Sequence, residues 1–63
     1  MSAAADPLDH AAELLDQLEE KRAKLEATTD PDEAVVLLGE ITELAKEAHG
    51  EIERARREAD AQS

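Results

Sequence analysis

Apolar residues recur every three or four positions through most of this chain. Leu8, Ala11, Leu15, Leu18 and Leu25 form one such series, with Arg22 at the step where an apolar residue is due. Ala34, Leu38, Ile41, Ala45, Ala48, Ile52, Ala55 and Ala59 form a second and longer one. Steps of three and four predict helices and exclude strands, and their regular alternation is the heptad seam of a coiled coil. The predicted seam sets Leu8, Leu15, Leu18 and Leu25 against Leu38, Ile41, Ala45, Ala48 and Ile52. Alanine holds five of the eight positions in the second series, so the two backbones are expected to run close together.

Start and stop signals divide the two series. Asp6-Pro7-Leu8-Asp9 offers an Asp cap, a proline at the first helical position and an acid in the first turn. Asp30-Pro31-Asp32-Glu33 repeats that chemistry, with Asp30 expected to accept from the Glu33 N–H in a capping box. The expected elements are a first helix over 7–27, a turn over 28–30, a second helix over 31–60, and loose ends at 1–5 and 61–63. So short a turn forces the helices antiparallel. The fold class is therefore all-α: a single two-helix antiparallel hairpin, coiled-coil-like, completed by oligomerisation or by docking on a partner. Gly50 falls inside the second helix, which is expected to continue through it, with a hinge or a stop as the alternative.

Some apolar residues lie beside these series. Leu14, Val35, Leu37 and Leu44 are expected at the margins of the hairpin, partly exposed, as the partner interface. Arg22 is expected to snorkel toward Glu19 or Glu26, or to serve as a register-setting polar residue. With Leu8 opposite Ile52, residues 53–63 are expected to project beyond helix one as a solvated, ion-paired overhang.

Composition narrows the function. Half of the apolar residues are alanine, leaving eight Leu, two Ile and two Val for a core. That is little for a free-standing domain and points to a partner or a second copy. The chain has no Cys and no aromatic residue, and its net charge is −10. Thiolate chemistry, disulfides and base-stacking platforms are excluded, and phosphate binding is disfavoured. The stretch Met-Ser-Ala-Ala-Ala-Asp has neither the basic nor the apolar region of a secretory signal, and no apolar run reaches membrane-spanning length. A cytoplasmic location is the expectation.

No constellation of catalytic or metal-binding residues emerges. His10 and His49 are the only imidazoles, expected at similar levels with Glu13 and Glu53 within reach, but on outer faces as solvated side chains. Lys46 stands where a Glu-x-x-His di-iron motif ending at His49 needs a glutamate. Gly39 and Gly50, the two glycines, form no phosphate-cradling loop. No catalytic, cofactor-binding or metal-binding residue is assigned, and the chain is read as a non-enzyme without a cofactor.

The segments AELLDQLEEKRAKLEA (Ala12–Ala27) and DPDEAVVLLGEITELAKEAHGEIERARREAD (Asp30–Asp60) resemble the small subunit of exodeoxyribonuclease VII. The positions that fit are Leu14, Leu18, Leu25, Glu26, Glu33, Val35, Leu37, Leu44, Ala45, Ala48, Ile52 and Ala55. Asp9-His10 replaces the usual aromatic-Glu start, Leu38 replaces an aromatic residue, and the turn lacks the common glycine. The resemblance implies a non-catalytic accessory that binds the large, DNA-cleaving subunit, and it assigns this chain no catalytic residue. The expected function is thus an acidic helical-hairpin assembly module with a protein partner, no direct nucleic acid and no membrane, self-associating in isolation. The alternatives are a homo-oligomeric bundle of unknown role and an acidic inhibitor that mimics nucleic acid toward a basic protein.

The purified chain is expected not to bind single-stranded DNA at physiological salt. Fluorescence polarisation with a labelled oligonucleotide checks this, and micromolar binding would contradict it.

Overall fold

The computed structural model describes residues 5–62. Helix α1 spans Ala5–Ala27 and helix α2 spans Pro31–Gln62, and the two pack against each other as an antiparallel hairpin. At ~1.5 Å rise per residue, α2 alone accounts for the 49 Å long axis.

Both helices extend further than the pattern predicts. Ala5, Ala61 and Gln62, expected to be loose, are helical; positions 1–4 and Ser63 lie outside the described residues. Asp6 is therefore a first-turn acid beside the helix dipole instead of the cap. Pro7 is the third helical residue instead of the first, and there too a missing N–H breaks no helical bond. Gly50 neither bends nor ends α2, which runs through it with no positive φ.

The turn is built by three small polar residues. The Thr28 N–H closes the last turn of α1 on the Lys24 carbonyl at 3.0 Å, and the Thr28 hydroxyl accepts from the Asp30 N–H at 3.2 Å. Asp30 then caps α2. Its carboxylate accepts from the Asp32 N–H at 2.9 Å, and its carbonyl accepts from the Ala34 N–H at 3.0 Å. The cap bond reaches Asp32, one residue earlier than the expected Glu33; both are ordinary targets of an Asp cap.

Two ion pairs between the helices report their register. Lys21 Nζ lies 3.4 Å from Glu40, and His10 Nδ1 lies 3.5 Å from Glu51. Each pair of residue numbers adds to the same total, so the register is constant between these levels. It places Leu14 within one residue of the level of Ala48, Leu18 within one of that of Leu44, and Leu25 within one of that of Leu37.

The burial pattern follows that register. Among the described residues, all that are not fully exposed, apart from Glu53, fall on two series. On α1 these are Pro7, Ala11, Leu14, Leu18, Lys21, Leu25 and Thr28. On α2 they are Ala34, Leu37, Ile41, Leu44, Ala48, Glu51, Ala55 and Glu58. Pro7 reaches the level of Ala55, which is buried, so the overhang is shorter than expected and begins after Ala55. Within this end of α2, Arg54 is 3.7 Å from both Glu51 and Glu58, and Arg56 is 3.6 Å from Glu53.

Neither glycine has a packing reason to be one: an added Cβ at Gly39 or Gly50 would meet nothing within 4 Å. Gly39→Ala and Gly50→Ala are each expected to stabilise the hairpin by about 0.5–1 kcal/mol, read as a higher midpoint in chemical denaturation. Ala48→Leu, at a seam level already holding Leu14, is expected to cost about 1–3 kcal/mol through overpacking.

Candidate docking face

The structure moves several leucines across the boundary between core and surface. Leu14 and Leu37 are 3% and 5% exposed, whereas their neighbours Leu15 and Leu38 are 48% and 51% exposed. Leu44 is half-buried in the seam. Three of the four residues expected at a partner interface therefore hold the two helices together. Val35 alone of that set is exposed. Conversely Leu8, Leu15, Leu38, Ala45 and Ile52, expected in the seam, point out of it. Leu18, Leu25, Ile41 and Ala48 are in the seam in both descriptions.

Adjacent leucines explain the exchange. Leu14-Leu15 and Leu37-Leu38 each let the seam run through either member, because both complete a three-four series with the same Ala11, Leu18, Ala34, Ile41 and Ala48. Packing takes the phase that buries Leu14, Leu37 and Leu44. The other phase would bury Leu8, Leu15, Leu38, Ala45 and Ile52 instead, so the count of apolar residues alone does not choose between them; the observed phase gains Leu44 over the smaller Ala45 and leaves Leu8 and Ile52 outside. The winning phase also puts Lys21, Glu51 and Glu58 at seam positions, where Lys21 and Glu51 make the inter-helix ion pairs and the long stems cover apolar neighbours.

The displaced leucines do not scatter. An antiparallel hairpin has an approximate two-fold axis perpendicular to its plane, so equivalent positions on α1 and α2 lie on the same face. Leu8 and Leu15 each follow a seam residue, Pro7 and Leu14. Leu38, Ala45 and Ile52 likewise follow Leu37, Leu44 and Glu51. All five therefore line one side of the hairpin, with Leu8 level with Ile52 and Leu15 level with Ala45. Val35 and Ala12 border this stripe. The Thr42 hydroxyl on the same side donates to the Leu38 carbonyl at 2.9 Å, so covering this face would strand no hydroxyl donor.

Arg22 is the charge within the stripe, level with Leu38. It is not a seam residue; Lys21 occupies that place. Its Nη2 lies 3.0 Å from Glu19, and its Nη1 pairs with Glu26. The hydrogen bond to Glu19, then the charges of Glu19 and Glu26, hold the guanidinium above its ordinary pKa, so it stays protonated.

The opposite side is polar and acidic. Gln17, Lys21, Glu40 and Glu43 rim an open groove there whose apolar lining comes from Val36, Gly39 and Leu44. His10 faces Glu51 on this side, whereas His49 belongs to the apolar side, so the two imidazoles do not converge. Among the described residues no group of three His, Asp or Glu side chains could hold a metal ion, and no helix is long and apolar enough to cross a membrane.

Comparison with known proteins returns no family model, no curated protein and no solved structure that matches this chain.

The exchange of leucines has a direct consequence for mutagenesis. Leu37→Asp is expected to unfold the hairpin, because it buries a carboxylate in the seam. Leu38→Asp, one residue along, is expected to leave the helical signal largely intact. Circular dichroism of the two variants separates these outcomes; equal loss of helix would contradict the assignment of the seam.

Proposed function

We propose that this chain is a non-catalytic assembly module whose working part is the open face carrying Leu8, Leu15, Leu38 and Ile52. The observation that supports it is the width of the apolar stripe. A two-helix coiled coil uses two apolar positions per heptad, whereas helices of a larger bundle use three. Both helices here carry the third, on the same side of the hairpin. The stripe is the pattern of a hairpin that adds to other helices.

Within this reading, the resemblance to the small subunit of exodeoxyribonuclease VII assigns the hairpin an accessory role beside a catalytic subunit. Co-expression with the nuclease large subunit from the same genome tests it. Co-elution of the two chains, lost on Leu15→Asp/Leu38→Asp, is the expected result. Separate elution of the wild-type chains would rule out the accessory role.

A further inference from the structure

Resting on the reading of the stripe as an assembly face, we infer that its occupant in the purified protein is a second copy of this chain. The two hairpins lie face to face with their turns at the same end and close a four-helix bundle.

Charge selects a second copy over a basic partner. The chain carries 17 acids and a net charge of −10, so copies repel wherever their acids meet. Yet Glu19 and Glu26, the acids flanking the charge within the apolar stripe, are both paired with Arg22. The acidic side chains Glu40, Glu43 and Glu47 lie on the far side of the hairpin. The stripe is the side by which two such acidic molecules can approach. A cationic partner would find its counter-charges on the other side.

Area allows a specific pair. The two-helix part of the hairpin is about 35 Å long, set by the 23 residues of α1, and 15 Å wide, so covering one face removes roughly 500 Å² per copy. The total of about 1,000 Å² reaches the lower bound of a specific interface. The stripe also continues the existing seam, since each of its residues directly follows a seam residue. The hairpin alone leaves no large side chain fully buried among the described residues, as a half-assembled bundle would.

The order of residues along the stripe sets the orientation. With both turns at one end, α1 of each copy lies over α2 of the other. Leu15 then meets the second copy's Ala45, large against small, and Leu8 meets its Ile52. The Arg22 stem lies over its Leu38, with the guanidinium kept at the edge by Glu19 and Glu26. With the turns at opposite ends, Ala45 would face Ala45 and leave a void, and Leu15 would be forced onto Leu15.

Sedimentation equilibrium of the full chain at tens of micromolar is expected to give twice the 6.8 kDa chain mass. Leu15→Asp/Leu38→Asp is expected to weaken pairing roughly 100-fold or more. Ala45→Leu keeps an exposed, helix-favouring position in the hairpin, so folding is not at risk. It is expected to weaken pairing by crowding Leu15, whereas Val36→Asp on the far side leaves pairing unchanged. Spin labels at Thr29→Cys, in a chain without native cysteine, are expected close together at one end. A monomer, a dimer that Ala45→Leu tightens, or labels separated by the length of the molecule would each overturn the proposal. Because this test uses the chain alone, its failure is distinct from failure to bind a nuclease subunit.

Discussion

The three-residue turn at Thr28-Thr29-Asp30 governs the rest of the molecule. It closes α1 with the Thr28 N–H on the Lys24 carbonyl and opens α2 with the Asp30 carboxylate on the Asp32 N–H. A connection this short leaves the chain no choice of direction and little choice of register. Once Thr28 and Ala34 are brought to one level, Leu25 meets Leu37, Leu18 meets Leu44 and Leu14 meets Ala48. The ion pairs Lys21–Glu40 and His10–Glu51 fall in line with that register. Such pairs are partly exposed and contribute little each; the leucine layers supply the stability.

From the register follows a two-sided molecule. Positions just after the seam carry Leu8, Leu15, Leu38, Ala45 and Ile52, and positions just before it carry His10, Gln17, Lys24, Glu33, Glu40 and Glu47. The antiparallel arrangement gathers each set onto its own side. Burial in the seam alone is thin, because alanine supplies much of it. The apolar side that the hairpin does not cover by itself is where the proposed assembly would add burial, and in that proposal pairing and folding are coupled.

Much of the architecture was legible along the chain. The three-four spacing identified helices, Asp30-Pro31 marked the start of the second, and the short turn required an antiparallel pair. What proved ambiguous was the phase of the seam. Leu14-Leu15 and Leu37-Leu38 offer two apolar series of nearly equal quality that share Ala11, Leu18, Ile41 and Ala48. Alternating Leu, Ala and Ile made the series through Leu15, Leu38 and Ile52 the more continuous of the two. The better-packed series passes through charged residues, Lys21, Glu51 and Glu58, which a pattern of apolar spacing passes over. A clue was present in the stripe itself, which is three positions wide on both helices. That width signals a helix with two neighbours.

By itself the sequence determined the helical periodicity, the direction reversal at the turn, the acidic surface and the absence of cysteine and aromatic side chains. These depend on local spacing, on capping groups and on composition, which need no knowledge of what lies across from them. Only the tertiary structure decided which leucine of each adjacent pair closes the hairpin and which faces outward. That choice is made by the side chain on the opposite helix: Leu14 is buried because the register sets it level with Ala48, and Leu15 faces out because Leu14 is in.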